Sequence, residues 1–258
     1  MIKVTFLGTG TSQGIPVITC DCEVCSSQNP KDKRLRSSVL IETEETNFVI
    51  DTGPDFRQQM LREKVQKLDA VLFTHEHKDH TAGLDDIRAF NFKQQKDMPL
   101  YGTHKVLNQI KSEFAYIFAE KRYPGIPQVE LCEITKSHYF QVENVKVLPI
   151  EVFHHHLPVL GFRIGDFTYI TDANYIATEE IAKIYGSKVL VINALQRADH
   201  LSHFNLTQAI EMAEHIGAEK TYLTHLSHRM GLHEEVTKEL PKNIEIAHDG
   251  LVLEIDSQ

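Results

Sequence analysis

The segment Thr74-His75-Glu76-His77-Lys78-Asp79-His80 follows directly on the apolar run Ala70–Phe73. A short, fully apolar run bounded by polar residues reads as a buried strand, here Ala70–Thr74. In extended backbone, residues two apart face one side, so His75 and His77 project together. Asp79 and His80 follow where the chain turns into a helix. Neutral imidazoles with a carboxylate suit zinc, manganese or iron. Four such donors within six residues can clamp two ions. Thr74 reads as structural, and Glu76 and Lys78 alternate away. A chain with this block must bury the end of a strand beside further donors, and that requirement limits its fold.

Composition narrows the alternatives. The 258 residues are 41% hydrophobic and 24% charged, an ordinary globular balance that excludes disorder and coiled coil. The formal charge of −9 disfavours a large polyanionic partner such as nucleic acid. No apolar run approaches the ~18 residues of a membrane span. The first twenty residues carry one Lys and are broken by Gly8, Gly10 and Gly14, a poor signal peptide. A cytoplasmic location is expected. Fifteen His stand out, as do three of the four Cys falling within six residues. In a reducing compartment such a cluster points to metal rather than disulfides.

Strands are expected at Ile2–Leu7, Ser37–Glu42, Phe48–Asp51 and Ala70–Thr74, with helices at Phe56–Val65, Leu84–Phe92 and Lys105–Glu120. The second half repeats the alternation. Strands are expected at Val129–Ile134, Val145–Val152, Leu160–Ile164, Thr168–Thr171, Val189–Asn193, Lys220–Thr224 and Leu251–Ile255, with helices at Leu206–Ile216 and Glu234–Leu240. Two packed sheets with helices outside satisfy this order. The polar motifs fall where strands end, the usual place for chemistry in α/β folds.

The block His75–His80 resembles the signature of the metallo-β-lactamase superfamily. The resemblance implies an α/β fold: a four-layer αββα sandwich of two mixed sheets with outer helices, in one domain over 1–258. It also implies further donors at later strand ends. Asp51-Thr52-Gly53 resembles the family's early Asp-x-Gly, whose Asp supports the ligand loop. His154 opens a His triplet and fits the pattern with Leu157 and Gly161, with His155 and His156 as alternatives. Asp172 after Thr171 resembles the carboxylate that bridges both ions, and His225 after Thr224 resembles the last ligand. One ion is then expected at His75, His77 and His154 and a second at Asp79, His80 and His225, with Asp172 shared. Two ions ~3.5–4 Å apart can hold a hydroxide between them and act on phosphorus.

Cys20-Asp21-Cys22-Glu23-Val24-Cys25 offers three thiolates, and a closed tetrahedral zinc site wants a fourth ligand. His228, three residues past His225, could supply it. This arrangement resembles a narrower branch, the phosphoribosyl 1,2-cyclic phosphodiesterases of phosphonate breakdown. That branch implies a zinc-binding insertion at about 15–34 and a structural zinc on Cys20, Cys22, Cys25 and His228. Cys132 lies in a strand and is expected in the core. Diesterase relatives also place a non-ligand His before a helix, next to the leaving oxygen. His203 fits that role, with His200 as its rival, and His203 and Asp79 are the catalytic candidates. Arg34 and Arg36 read as a solvated charged face rather than a phosphate grip. The Gly8–Gly14 loop lacks the Gly-Lys-[Ser/Thr] of a phosphate-binding loop and is expected to shape the site.

The reading is therefore a metal-dependent phosphodiesterase for a small or cyclic phosphodiester, with two divalent ions (Mn or Zn) and one structural zinc. The alternatives are an RNA 3′-processing endonuclease like ribonuclease Z, or a thiolesterase of the same fold. The resemblance also implies a homodimer. No membrane partner is expected.

Overall fold

The computed structural model describes residues 1–120 and 123–256. Its first half supplies β1 (Ile2–Gly8), β2 (Ser38–Glu42), β3 (Asn47–Ile50), β4 (Ala70–Leu72), β5 (Met98–Gly102) and β6 (Val129–Glu133). Then follow β7 (Phe140–Val142), β8 (Val145–His154), β9 (Leu157–Ile164), β10 (Phe167–Tyr169), β11 (Tyr175–Ile176), β12 (Val189–Asn193), β13 (Lys220–Thr224), β14 (Ile244–Ile246) and β15 (Val252–Ile255). The helices are α1 (Glu23–Ser26), α2 (Phe56–Arg62), α3 (Lys78–Thr81), α4 (Arg88–Gln94), α5 (His104–Glu113), α6 (Thr178–Ile184), α7 (Leu206–Ile216) and α8 (His233–Glu239). Among the described residues, no helix is long and apolar enough to cross a membrane.

One sheet runs β15-β1-β2-β3-β4-β5-β6, and the other runs β11-β8-β9-β10-β12-β13-β14 with β7 on β8. Each is antiparallel at one side and parallel at the other, where helices make the crossovers: β3 to β6 in the first sheet and β10 to β14 in the second. Side-chain alternation builds four layers. Phe48, Ile50 and Leu72 face inward and meet Phe162, Tyr169 and Val191 of the other sheet. Val49 and Val71, one residue out of phase, pack outward with Phe56, Phe90 and Ile110. Leu190 and Ile192 likewise turn outward to Leu206, Ala209, Ala213 and Ile216 of α7. This is the αββα arrangement expected from the sequence.

Local chemistry sets the element ends. In α7, Asn205 accepts the backbone N–H of Gln208 at 2.8 Å and Gln208 accepts that of Asn205 at 3.0 Å, a reciprocal cap. Gly217, at φ +69°, ends the helix in left-handed backbone. Val189–Asn193, Leu206–Ile216 and Lys220–Thr224 keep their expected bounds. Other elements differ. The helix expected over Lys105–Glu120 ends at Glu113 and continues as a 3₁₀ turn, Ala115–Phe118. The helix expected from Leu84 begins as a 3₁₀ turn, Leu84–Ile87. The strand expected to reach Thr74 stops at Leu72, because Thr74 gives its N–H to the Asp51 carboxylate instead of a neighbouring strand. β5, β7, β11, β14, α1 and α6 have no counterpart in the sequence reading.

Candidate metal centre

β8, β10 and β13 run parallel in one sheet, as do β3 and β4 in the other. Their carboxyl ends deliver His154, Asp172, His225, Asp51 and His75 to one edge of the sandwich. Three of these five sit in left-handed backbone: Asp51 at φ +66°, Asp172 at +58° and His225 at +56°. For non-glycine residues such backbone costs on the order of 1–3 kcal/mol each, and it persists only where the surroundings enforce it. The enforcement is visible. Asn193 accepts the Ala173 N–H at 2.7 Å and donates to the Ala173 carbonyl at 2.8 Å, pinning the turn at Asp172. Leu226 N–H donates to the Thr9 carbonyl at 2.9 Å and Thr11 N–H to the Leu226 carbonyl at 3.0 Å, pinning the turn at His225. The Gly8–Gly14 loop thus clasps the strand end that presents His225.

Asp51 organises the motif segment. It accepts the Thr74 N–H at 2.9 Å, the Thr74 hydroxyl at 2.8 Å and His80 Nδ1–H at 2.7 Å. Gly53 is needed beside it, since a Cβ there would collide with the Asp79 carbonyl oxygen. His77 forms the N-cap of α3, and Asp79 and His80 lie in its single turn. Glu76 and Lys78 point outward to Lys105 and Glu113.

The donors converge. Atoms of Asp79, His80, Asp172 and His225 all lie within 4.8 Å of one another, as do atoms of His154, Asp172 and His203. His75 Nε2 and His77 Nδ1 are 2.9 Å apart, and the His77 and His154 rings lie 5.2 Å apart. Of the three consecutive histidines, His154 faces the cluster, and its Nδ1–H donates to the Ser202 carbonyl at 2.8 Å. His155 and His156 pack on each other at the surface. His203 is buried, its ring 4.4 Å from His154 and 5.0 Å from His225. His200 is exposed, 5.2 Å from the His203 ring.

The electrostatics favour a cation. Burial opposes charge on His80, but Asp79, Asp172 and Asp51 outweigh it and hold His80 well above the ordinary imidazole range. The Asp79 carboxyl is held low by His80, against its burial. The Asp172 carboxyl is also held low, by His225 and His80. Burial lowers His75, His77 and His225 and pushes His203 down to about 3. His80 Nε2 is 3.1 Å from Asp79 and 3.3 Å from Asp172, yet it is buried and makes no hydrogen bond of acceptable geometry. His203 Nδ1 is likewise unpartnered. Buried ring nitrogens left without a partner among crowded donors are what a site shaped for ions requires. The residues fit divalent metal.

A second cluster is partly buried, with Cys25 its buried member. Cys20, Cys22 and Cys25 Sγ are 3.2, 3.3 and 3.6 Å from His228 Nδ1. Tetrahedral zinc with ordinary bond lengths gives S···N edges of about 3.6 Å, so this set also fits. All four cysteines are free thiols. Backbone and His228 hydrogen bonds lower Cys22 to about 6, while burial raises Cys25 to about 11.

Three readings need correction. Arg34 is no solvated face. It is buried and donates to Thr9 at 2.7 Å and to the Ala247 carbonyl at 2.6 Å, with burial pushing it down to about 10. Arg36 pairs with Asp55 at 3.2 Å. Cys132 is half-buried on β6, an edge strand, rather than in the core. The sequence reading passed over Asn193, although a polar residue closing the apolar run Val189–Ile192 is the same kind of signal that marked Asp51.

Comparison with known proteins bears on the family and the fold. Residues 46–226 match the family model described as a beta-lactamase superfamily domain. A Porphyromonas gingivalis (strain W83) protein named octanoyltransferase is 41% identical over 259 residues, covering 100% of this chain and 52% of its own length. A Staphylococcus epidermidis ribonuclease Z is 26% identical over 170 residues, covering 63% of this chain and 49% of its own. The chain thus spans about half the length of the curated relatives it matches first. A crystal structure described as a new diphosphatase from the PhnP family superposes with a TM-score of 0.93 at 38% identity, over 100% of this chain and 99% of that one. With the family model spanning well over half of its length, the chain belongs to the beta-lactamase superfamily, in the metallo-β-lactamase fold.

Proposed function

We propose that the chain is a metal-dependent hydrolase of phosphoester bonds, acting on a small or cyclic phosphodiester of the ribose 1,2-cyclic phosphate type. The observation that carries this reading is the convergence of His75, His77, Asp79, His80, His154, Asp172 and His225 at one edge, with the extra imidazole of His203 stacked against them. Two divalent ions, manganese or zinc, would be held by these seven side chains, with Asp172 common to both. Such ions supply Lewis-acid polarisation of a phosphoryl oxygen and an activated water. The diphosphatase named among the similar structures, aligned over its whole length, supports phosphorus chemistry.

The chain's own residues supply orientation and a proton path. Asp51 and the Ser202 carbonyl each take one N–H, from His80 and His154, and turn the other ring nitrogen toward the cluster. His203, neutral at rest, lies 3.8 Å from Asp172. A phosphoester's negative charge would raise the proton affinity of His203, which would take up one proton from solvent and pass it to the departing oxygen, returning the ring to neutral. Cys20, Cys22, Cys25 and His228 would hold a structural zinc that ties the 15–34 segment to the loop after His225. We place the protein in the cytoplasm, where its free thiols stay reduced, and propose a homodimer.

The ribonuclease Z relatives favour a second reading, RNA 3′ processing. The net charge of −9 weighs against a large polyanion. A thiolesterase of the same fold is a further alternative. For acyl transfer, as in the name of the P. gingivalis relative, the described site offers no thiol nucleophile: three cysteines face His228 and Cys132 lies on β6. The test compares metal-free, Mn-loaded and Zn-loaded protein on bis(p-nitrophenyl) phosphate, a ribose cyclic phosphate and a precursor transfer RNA. Metal-dependent turnover of the small diesters is expected. RNA cleavage with poor diester turnover would favour the nuclease, and silence on all three with metals loaded would overturn both.

A further inference from the structure

An imidazole ligates through one nitrogen only if its other nitrogen carries the proton, and a hydrogen-bond acceptor decides which that is. Asp51 decides it for His80 and the Ser202 carbonyl for His154. A different construction acts on His75. Thr74 Oγ1 gives its hydrogen to Asp51 at 2.8 Å and lies 3.0 Å from His75 Nδ1. A hydroxyl has a single hydrogen. With that hydrogen committed to the carboxylate, the Thr74 oxygen accepts from His75 Nδ1–H, and His75 Nε2 keeps its lone pair for the cluster.

The same construction recurs at Thr171, between the end of β10 and Asp172. Thr171 is fully buried. Its hydroxyl donates to Asp172 Oδ2 at 2.6 Å, and its oxygen lies 3.4 Å from His225 Nδ1. The hydrogen is again committed to a carboxylate, so the oxygen accepts and the His225 proton sits on Nδ1. His225 Nε2 is then the free nitrogen. It lies 3.3 Å from Asp172 Oδ1 and 3.3 Å from the Thr11 hydroxyl. Asp172 Oδ2, the oxygen that Thr171 grips, lies 3.3 Å from His80 Nε2. One hydroxyl thus sets both the ring of His225 and the plane of the Asp172 carboxylate.

Resting on the metal-dependent reading above, we infer that Thr171 is a positioning residue: its hydroxyl fixes the Nδ1–H form of His225 together with the orientation of Asp172, and so sets the affinity for the ion expected at Asp79, His80 and His225.

The test is metal binding, independent of turnover. Manganese suits the imidazole–carboxylate cluster and not the thiols, so Mn(II) is titrated into protein stripped of active-site metal, with free ion counted by electron paramagnetic resonance. Wild type is expected to take up two ions. Thr171→Val keeps the shape without the hydroxyl and should weaken one of the two about 10–100-fold, leaving the other within about threefold. Thr171→Ser keeps the hydroxyl without the methyl and should bind both within about threefold of wild type. A role in packing alone would reverse that order. Thr224→Val removes another fully buried hydroxyl, one with no hydrogen-bond partner among the described residues, and should bind both ions like wild type. A second measurement needs no variant. Proton–nitrogen correlation spectra of zinc-loaded, histidine-labelled wild type should show His225 protonated at Nδ1. A proton on Nε2, or unchanged manganese affinity in folded Thr171→Val, would overturn the role of Thr171. A wild type that binds no ion would remove the metal centre and this role with it. Two bound ions without diester turnover would count against the hydrolase reading and leave this inference standing.

Discussion

The two donor clusters differ in how they are built. The imidazole–carboxylate cluster grows from strand ends and α3, is buried at His75, His80, Asp172 and His225 with His77 exposed, and has its rings oriented by Asp51 and by the Ser202 carbonyl. The thiol cluster grows from a loop and the four-residue helix α1, is half-exposed, and has one remote member, His228. The first is held by hydrogen bonds from the core, at Asp51, Asn193 and the Ser202 carbonyl. The second lies beside only a small apolar cluster of Ile15, Val24 and Cys25, so an ion must supply much of its order. A buried scaffold suits chemistry that needs fixed geometry, and a metal-tied loop suits fastening one segment to another.

This contrast can be broken experimentally. The largest effect is expected from Asp172→Ala, which removes the carboxylate shared by both halves of the cluster. Turnover of bis(p-nitrophenyl) phosphate should fall roughly 10³-fold, the rate equivalent of several kcal/mol of charge stabilisation, with a matching loss of bound metal by elemental analysis. Next, His203→Ala should lower turnover about 10²-fold with metal content unchanged. If metal is lost as well, His203 is a ligand and not a proton donor. Asp51→Asn keeps the shape but weakens the grip on His80, and metal affinity should fall about 10–100-fold in competition with a chelating dye.

Cys25→Ser addresses the other cluster. Its expected signature is faster amide exchange confined to residues 15–34, with turnover reduced by less than about fivefold. Global unfolding in that variant would erase the distinction drawn above. The smallest effect is in pH. In metal-free protein the Cys22 thiol titrates near 6 instead of its ordinary 9.0, so the folded state favours its thiolate. That contribution is complete above pH 9, shrinks as pH falls from 9 to 6, and is gone below about 6. Cys25, raised to about 11, still holds its proton at pH 7, so zinc binding should release at least that proton in weakly buffered solution.

Much of this architecture was readable from residues in order. The block His75–His80 is contiguous, follows an apolar strand and names its own chemistry. His154, Asp172 and His225 are single residues spread over some seventy positions, and local pattern alone could not join them. Only topology brings the ends of β8, β10 and β13 to one edge. Among the elements that escaped are several whose stability is tertiary. β5 contains Pro99 and lacks a clean alternation, β14 has three residues, and α6 has seven with no side-chain cap. Arg34 misled because its partners, Thr9 and Ala247, are distant in sequence and come together only in the folded chain.

The left-handed backbone at Asp51, Asp172 and His225 limits how this site can change over generations. β-Branched side chains are nearly barred from that conformation, and Asn, Asp, His and Gly are the residues that accept it most readily. Each of these turns can therefore swap a donor for another short polar residue or for glycine, but not for a bulky apolar one. Drift at these positions leads first to a silenced site on an intact sandwich, and members of such a lineage can lose their chemistry long before they lose their shape.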